Sequence, residues 1–426
     1  MDKKRIGVVA DDITGSNDIG VMFAIGGFRA AVISLENGPE KADFDGTDVL
    51  IINTGSRLDT AEEAARKSRE AADFLVACGC DMIHSKTCSV FRGNIGVTFD
   101  TVQDAMGVTC SMVAAGFPRN GRTTLKGVHY VNGVPVGESA FSKDPVTPIH
   151  HSRLDELIGR QSDRPCRCFT YDWYDKDEAA QQAHLQALKQ DAAYVIFDVR
   201  DQADLRTVAR LVKDERNLCG ASALCEELPA AWGQQSAPCV CPASEEDGLG
   251  VLILAGSLTP QTAAQVEHLL ALGTPHVTLD PALLLEDASR AAAVAEAAEQ
   301  AAAIMGRGQD VLVFVARETA GVREASARLG ITDIEAGRRI SLAFEGIARA
   351  VRDITHATRY LVAGGETSDA VSRGLGVRVM RIWQEIEAGV PLMTAPVAGG
   401  EMRLVLKSGS FGSEEFLAKA AKCLRN

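Results

Sequence analysis

The sequence predicts an α/β protein of two unlike domains, each built on a mainly parallel sheet. Three observations predict this fold class. The chain has 426 residues, which is too long for a single hydrophobic core. Short apolar runs alternate with segments of helical period, as in successive βα units. A stretch without either period, from Pro229 to Gly248, divides the chain, so we expect domains at residues 1–235 and 248–426.

The first domain is predicted to open on a buried strand and to continue as βα units. Thr60, three residues before Glu63, is typical of a helix N-terminus. The predicted strands are Ile6–Ala10, Ala30–Leu35, Val49–Asn53, Met82–Ser85, Met112–Ala115 and Tyr194–Val199. The predicted helices are Asp18–Ile25, Thr60–Ala77 and Asp177–Lys189.

The second domain repeats the alternation without repeating the residues, which is why we expect the two domains to differ. Its predicted strands are Val251–Ala255, Val311–Ala316, Tyr360–Ala363 and Leu404–Leu406. Its predicted helices are the Ala-rich Ala288–Met305, then Ile334–Ile354 and Glu414–Leu424.

The composition narrows the class of partner. Lys and Arg total 44 against 57 Asp and Glu, a net charge of −13, and aromatic residues make up only 5% of the chain. Both values disfavour a nucleic-acid partner, which requires a basic surface. No apolar stretch has the length of a membrane span, so we expect no membrane partner. The 11 cysteines are an odd number without zinc-site spacing, which indicates reduced thiols in a cytoplasmic protein and no metal site.

Polar residues that could take part in binding or catalysis follow the first predicted strand. Asp11 and Asp12 come directly after it, and Thr14, Gly15 and Ser16 lead into the next helix. Ligands of open α/β sheets gather at such strand ends. One acid can serve as a general base or hold a substrate hydroxyl, while the other is held by backbone amides. Both acids could instead only cap the helix.

Two further strand ends of the first domain carry cations. Arg57 follows the third strand and suits bidentate capture of a carboxylate, although considered alone it is better explained by an ordinary surface ion pair. Lys86, Cys88 and Ser89 follow the fourth strand, with Arg92 close behind. Together they offer donors for a polyhydroxylated anion. Cys88 could also be a nucleophile, but the sequence pairs no histidine with it.

In the second domain, three small-residue turns follow predicted strands. They lie at Ser257, at Gly364–Thr367 and at Gly409, with Lys407 beside the last. Glycines there let backbone N–H groups approach phosphate oxygens, and a helix N-terminus favours anions. The chain contains no P-loop and no dinucleotide fingerprint after its first strand. A phosphate pocket of another type is therefore predicted.

As an ordered set, these segments resemble the four-carbon acid sugar kinase, or tetronate kinase, family. The matching segments, covering almost the whole chain, are Ala10–Gly15, Ser56–Arg57, Lys86–Ser89, Arg92–Gly96, Asn120–Thr123, Asp144–Pro148, Gly364–Ser368 and Lys407–Gly412. The resemblance implies an acid-sugar-binding domain at 1–235, a nucleotide-binding domain at 248–426 and an active-site cleft between them.

The resemblance also implies a reaction and its residues. An ATP- and Mg²⁺-dependent kinase would transfer the γ-phosphoryl group to the terminal (4-) hydroxyl of a sugar acid such as D-threonate, D-erythronate or 3-oxo-tetronate. The substrate-binding positions are Asp12, Arg57, Lys86, Cys88 and Ser89, with Asp12 as catalytic residue and two cations neutralising the carboxylate. The nucleotide-binding positions are Ser257, Gly364, Gly365, Glu366, Thr367 and Gly409.

Some segments depart from the family pattern. Cys88-Ser89-Val90 stands where many relatives carry Asp-Ser-Thr, and Ala388 replaces a proline. A non-catalytic sensor of sugar acid or nucleotide is the alternative function on the same fold, and an isomerase or dehydrogenase is a third. The oligomeric state is left open, with a homodimer as one option.

Overall fold

The computed structural model describes residues 3–144, 147–243, 247–316, 319–397 and 400–426. The chain divides into two compact units, Met1–Cys239 and Val240–Asn426, called unit 1 and unit 2. Each contains a mainly parallel sheet with helices, so the predicted fold class is confirmed. The cleft expected between the units stays a prediction. No helix among the described residues is both long enough and apolar enough to cross a membrane.

Unit 1 is a series of βα units interrupted by a small hairpin. Its strands are β1 (Ile6–Ala10), β2 (Ala30–Ser34), β3 (Val49–Asn53), β4 (Met82–Lys86), β5 (Ser111–Ala114), β6 (Arg122–Leu125), β7 (Val128–Val131), β8 (Val134–Pro135), β9 (Cys166–Phe169), β10 (Tyr194–Phe197) and β11 (Asn217–Gly220). Its helices are α1 (Ile13–Ile25), α2 (Ala61–Ala77), α3 (Ile95–Met106), α4 (Leu154–Gly159), α5 (Glu178–Gln190), α6 (Gln202–Val212) and α7 (Leu224–Ala231).

The sheet of unit 1 brings distant strand ends together. Its strands run parallel in the order β2-β3-β1-β4-β11-β5-β10-β9. Every residue of β1, β3 and β4 is buried, as expected when helices cover both faces of a parallel sheet. In the register, Ala10 lies opposite both Asn53 and Lys86, so the loops after these three strands leave the sheet side by side.

The strands β6, β7 and β8 form a separate antiparallel sheet of unit 1. Asp198, just after β10, accepts hydrogen bonds from the amides of Lys126 and Gly127 in the β6–β7 turn, at 2.8 and 3.0 Å. The same carboxylate accepts a third from the amide of Tyr171 at 3.2 Å. These bonds hold the small sheet against the strand ends of the large one.

Unit 2 begins parallel and ends antiparallel. Its strands are β12 (Leu252–Ala255), β13 (His276–Leu279), β14 (Val311–Val315), β15 (Arg359–Ala363), β16 (Val379–Glu387), β17 (Val390–Val397) and β18 (Gly400–Lys407). Its helices are α8 (Pro260–Ala271), α9 (Pro281–Leu285), α10 (Asp287–Met305), α11 (Thr319–Leu329), α12 (Asp333–Thr355), α13 (Gly365–Gly374) and α14 (Phe416–Arg425). The order is β13-β14-β12-β15-β18-β17-β16, antiparallel only across β18, β17 and β16.

The apolar core of unit 2 lies between β12, β15 and β18 of the sheet and helix α14. Ile253, Leu361 and Val405 of the strands pack with Phe416 and Leu417 of the helix, all at most 1% exposed. This packing fixes the carboxyl ends of β12, β15 and β18, which are neighbours in the sheet. The turns predicted to bind phosphate follow these ends.

Candidate functional site

In unit 1 the site is built around Asp12, the residue before helix α1. Its Oδ1 accepts a hydrogen bond from the amide of Gly15 at 2.7 Å, and its Oδ2 accepts one from the hydroxyl of Thr14 at 3.0 Å. Asp12 is therefore the N-cap of α1, as the capping interpretation predicted. Its side chain is nevertheless 21% exposed, so capping does not prevent it from reaching a ligand.

Arg57 joins the loops after β1 and β3. Its Nε and Nη2 donate to the two carboxylate oxygens of Asp11 at 2.8 and 2.7 Å, and its Nη1 donates to Oδ2 of Asp12 at 2.5 Å. The sequence led us to expect backbone amides around one of the acids. The amide, from Gly15, bonds to the partly exposed Asp12, whereas Asp11 is held by the bidentate guanidinium. Arg57 is thus paired with carboxylates of the chain itself.

Lys86, at the end of β4, is also paired within the chain. Its Nζ lies 3.4 Å from Oδ2 of Asp18 on α1, and it donates to the carbonyl of Thr87 at 2.8 Å. The same Asp18 oxygen accepts a hydrogen bond of 2.6 Å from Ser222. The side chains of Lys86 and Asp18 are only 3% and 4% exposed. The pair is therefore buried close beside Asp12.

The charges around Asp12 decide its protonation state. Burial alone would raise the pKa of the Asp12 carboxyl. The positive charges of Arg57 and Lys86, with the hydrogen bonds from the following turn, outweigh burial and lower that pKa. Asp12 is consequently a carboxylate at neutral pH and a weak base. Such a group can orient a hydroxyl and take its proton late in a reaction.

Cys88 lies among guanidinium groups. Arg92 donates from Nε to its Sγ at 3.4 Å and from Nη1 to Asp144 at 2.9 Å. Burial would raise the pKa of the Cys88 thiol, but the charges of Arg92 and Arg57 lower it. The carbonyl of the next residue, Ser89, is held by a 2.8 Å hydrogen bond to Nε2 of His129. The loop after β4 is thereby fixed from both sides.

In unit 2, the three predicted turns meet at one edge of the sheet. The amide of Ser257 donates to the carbonyl of Ala363 at 3.1 Å, and the amide of Gly364 donates to the carbonyl of Lys407 at 2.9 Å. A Cβ added at Gly409 would lie 2.3 Å from Oγ of Ser257. A larger residue there would have to displace the side chains of Ser257 and Thr259, so the three turns enclose a narrow cradle.

Gly364 requires its glycine for a second reason. Its φ of +133° is open to few other residues. It caps α13, and among the described residues no side chain bonds to the first amides of this helix. An added Cβ would lie 3.0 Å from Oγ1 of Thr367 and 3.2 Å from the amide of Ser257. Free backbone amides at a helix N-terminus, surrounded by small residues, are suited to bind a phosphate group.

Lys407 supplies a buried cation behind this cradle. It is 1% exposed, and its Nζ donates to the Thr262 hydroxyl at 3.1 Å and to the carbonyls of Ser408 and Gly409 at 2.9 and 3.3 Å. All three acceptors are uncharged. Burial lowers the pKa of Lys407 to about 7. An anion bound at the cradle would favour the protonated form.

A cavity of about 200 Å³ opens beside the cradle, at the ends of β12 and β14. Its lining is mostly apolar, from Ala255, Leu258, Val266, Phe314 and Val315, with the hydroxyls of Ser257 and Thr262 added. Its position next to the phosphate cradle and its apolar walls suit the flat ring of a nucleotide base.

The structure brings together most of the residues that the sequence predicted. Asp12, Arg57, Lys86, Cys88 and Ser89 lie at the adjacent ends of β1, β3 and β4. In unit 2, Ser257, Gly364, Gly365, Thr367 and Gly409 share one edge. Glu366 is exposed, with Oε2 near Gly337 of α12. The roles of all these residues in binding and catalysis stay predictions.

Sequence reasoning missed residues that complete the unit 1 site. Asp18 neutralises Lys86, Ser222 orients Asp18, and Asp144 neutralises Arg92. Asp144 and Arg122 lie in segments that carried the family resemblance, which was the only indication of their importance. Nothing local in the sequence points to Ser222, which is 204 residues from Asp18.

Comparison with known proteins first defines the class. A family model described as a sugar-binding N-terminal domain matches residues 6–228, and one described as a nucleotide-binding C-terminal domain matches residues 252–417. The chain is thus a two-domain α/β protein with one domain of each kind.

Relatives of known name then define the family. A 3-oxo-tetronate kinase of Pseudomonas fluorescens is 32% identical, over 97% of this chain and 96% of the relative. A 3-oxo-tetronate kinase of Methylobacterium radiotolerans is 33% identical over 97% and 98%. A D-threonate kinase of Salmonella typhimurium is 29% identical over 97% and 96%. The chain belongs to the four-carbon acid sugar kinase family.

Solved structures agree on the fold. A protein of Salmonella typhimurium LT2, 27% identical, superposes with a TM-score of 0.84 over 98% of both chains. A Haemophilus influenzae protein of the family DUF1537, 26% identical, superposes with a TM-score of 0.75 over 99% of this chain and 100% of its own.

Proposed function

We propose that the protein is an ATP-dependent kinase that phosphorylates the terminal (4-) hydroxyl of a four-carbon sugar acid, such as D-threonate, D-erythronate or 3-oxo-tetronate. One observation carries this proposal beyond family membership. The carboxylate of Asp12 is partly exposed at the adjacent ends of β1, β3 and β4, where Arg57 and Lys86 carry the neighbouring positive charges. Such a group can hold a substrate hydroxyl in place for phosphoryl transfer.

The geometry supports distinct roles for the substrate-side residues. Asp12 would accept a hydrogen bond from the attacking hydroxyl and take its proton as the new bond forms. Arg57 and Lys86 would keep Asp12 ionised, since their charges already lower its pKa. Phosphoryl transfer depends mainly on positioning and charge neutralisation, so a weak base is sufficient and no covalent intermediate is needed.

The unit 2 cradle supports the nucleotide assignment. Gly364, Gly365 and Thr367 would offer amides to the ATP phosphates, Ser257 and Gly409 would close the wall, and Glu366 would lie at the rim. The apolar cavity beside Ser257 would hold the base.

Mg²⁺ fits this proposal as a companion of the ATP phosphates. Kinase sites bind it chiefly through phosphate oxygens, with one or two carboxylates, and it neutralises charge on the transferred group. Among the described residues, no group of three or more His, Cys, Asp and Glu could hold a metal by itself. We therefore assign no protein ligand to the ion.

An ADP-release assay with Mg·ATP tests the proposal against a panel of four- and five-carbon sugar acids, with the mass of the product as confirmation. We expect turnover on a tetronate and little on the matching neutral sugars. Binding of ATP without phosphorylation of any acid would refute the kinase proposal and favour a sugar-acid or nucleotide sensor.

A further inference from the structure

Arg122 follows the carboxyl end of β5 in unit 1, and the proposed function gives it no role. It is the first residue of β6, and its backbone is fixed to the loop after β5. Its amide donates to the carbonyl of Phe117 at 3.0 Å, and its carbonyl accepts from the amide of Phe117 at 2.8 Å. Gly121, with a φ of +69°, makes the tight turn that precedes it. The position of the Arg122 side chain is therefore set by rigid backbone.

The guanidinium of Arg122 is buried, and the described part of the chain gives it no counter-ion. The residue is 8% exposed, and Nη1 donates only to the carbonyl of Asn120. Within the described ranges, no carboxylate forms an ion pair with Arg122, and neither Nε nor Nη2 has a hydrogen-bond partner. Burial lowers the pKa of Arg122, yet a guanidinium remains protonated at neutral pH. An unmet buried charge of this kind is costly.

The donors that remain unmet have a particular geometry. Nε and Nη2 form one edge of the guanidinium, and this is the edge with which Arg57 holds both oxygens of Asp11. The corresponding edge of Arg122 is therefore shaped for a carboxylate. Nε is buried and has no hydrogen-bond partner among the described residues.

The neighbours of Arg122 place it beside the candidate substrate site. Arg122 lies opposite Val131 in the β6–β7 register, and Val131 belongs to the same packed cluster as Cys88. His129, two residues before Val131, binds the carbonyl of Ser89 at 2.8 Å. The charges of Cys88, Arg92 and Asp18 also act on the Arg122 guanidinium. Asp18 already pairs with Lys86, and Arg92 already pairs with Asp144. Since Arg57 is paired as well, a substrate carboxylate would have to compete with the chain's own acids at each of these other cations.

We infer that Arg122 holds the carboxylate of the sugar acid, in a bidentate pair through Nε and Nη2. This inference rests on the proposed function and assigns the carboxylate to a residue other than Arg57 and Lys86. It explains selection of acids over neutral sugars, because only an anion relieves the unmet charge of Arg122. A carboxylate there would leave the hydroxyl end of the substrate for Asp12.

The test compares charged and uncharged substrates in the full-length enzyme. Arg122→Gln should raise KM for D-threonate or D-erythronate about 100-fold, the usual effect of losing a charge-assisted pair. KM for ATP and the slow rate with the matching alditols threitol and erythritol, which lack the carboxylate, should stay within about twofold. Arg122→Lys keeps the charge but loses the two-donor edge, so its KM for the acids should lie between the values of the wild type and Arg122→Gln.

Matched variants separate this role from a structural one. Arg119→Gln, three residues earlier and paired with Glu226, should leave every constant near the wild-type value. Equal losses on acids and alditols in Arg122→Gln would show a structural role and overturn the inference. So would an unchanged KM for the acids.

A binding measurement distinguishes failure of the inference about Arg122 from failure of the proposed kinase function. If wild-type protein phosphorylates no acid, thermal shift with D-threonate and D-erythronate decides the inference. Stabilisation of the wild type that is lost in Arg122→Gln would support a carboxylate site at Arg122. Equal stabilisation of both proteins, or none of the wild type, would overturn it.

Discussion

Replacing Asp12 by Asn separates its two roles, the cap of α1 and the proposed contact with the substrate hydroxyl. The side-chain oxygen of Asn can accept the 2.7 Å hydrogen bond from Gly15, and Asn and Asp are equally good N-caps. Arg57 keeps its two bonds to Asp11. The amide group of the Asn side chain would then replace Oδ2, so the hydrogen bond from Nη1 of Arg57 is lost and the free energy of unfolding should fall by about 1–3 kcal/mol.

The effect on catalysis should be far larger. Loss of a general base lowers kcat by about 100- to 10,000-fold. Asp12→Ala should show the same loss of kcat and, in addition, about 1 kcal/mol of lost stability, because the cap is gone. Steady-state ADP release at saturating Mg·ATP and urea unfolding of each variant measure the two effects separately.

A matched control is Asp177→Asn, since Asp177 caps α5 through the amide of Ala180 at 2.9 Å in the same i to i+3 geometry. It should leave both kcat and stability unchanged. A near-normal kcat in Asp12→Asn would refute the catalytic assignment. A loss of kcat in Asp12→Ala alone would show that only the cap matters.

Three further predictions concern the cradle and the buried bases. Gly409→Ala should raise KM for ATP at least 10-fold, measured by ADP release, because its Cβ would lie 2.3 Å from Oγ of Ser257, while KM for the acid stays unchanged. Burial lowers the pKa of Lys407 to about 7, against 10.5 when it is exposed, so between these pH values the unfolded chain binds more protons than the folded one. The free energy of unfolding should therefore rise with pH in this range. Lys407→Met should abolish that rise, as measured by urea unfolding. Burial lowers the pKa of His84 to about 3 and that of His129 to about 4, so the free energy of unfolding should fall as the pH drops from 6.5 to 4. His129 should contribute at most about 3 kcal/mol to this fall, and His129→Gln should make the fall smaller.

The first two of these predictions have a control in the chain. Gly159→Ala introduces a Cβ with nothing within 4 Å and should leave KM for ATP unchanged. Lys419→Met removes an exposed lysine and should preserve the rise of stability with pH. A cradle that tolerated Gly409→Ala, or pH slopes identical in variant and wild type, would contradict the corresponding prediction.

The sequence predicted buried parallel strands well and long-range pairing poorly. The bounds of β1 and β3 agree with the prediction, because each is a short apolar run that polar residues follow directly, with Asn53 as the last residue of β3. Helix α1 begins at Ile13 and not at Asp18, since the cap at Asp12 starts it earlier and its small polar residues are buried within the unit. The strands β16 and β17 were not predicted. Their antiparallel pairing carries register shifts and includes Pro391, which obscure the alternation of a strand.

For the site, strand ends were visible in the sequence but side-chain partners were not. The register of a parallel sheet explains why Asp12, Arg57 and Lys86 meet, and this follows from the strand pattern alone. Which carboxylate each cation binds depends on rotamers and on segments far away in the chain. The sequence therefore suggested that Arg57 is available to a ligand, whereas the structure pairs it with Asp11 and Asp12.

The contact of Ser222 with Asp18 also bears on how the protein acquires its activity during synthesis. The two residues are separated by 204 positions, and Ser222 follows β11, which is central in the sheet although it is the last strand of unit 1. A nascent chain that has already made β1 to β10 must still insert β11 between β4 and β5. The buried Lys86–Asp18 pair acquires its hydroxyl partner only at that step. Contacts of such long range form slowly, so ligand binding by unit 1 should report completed folding of the whole unit and be absent from shorter chains.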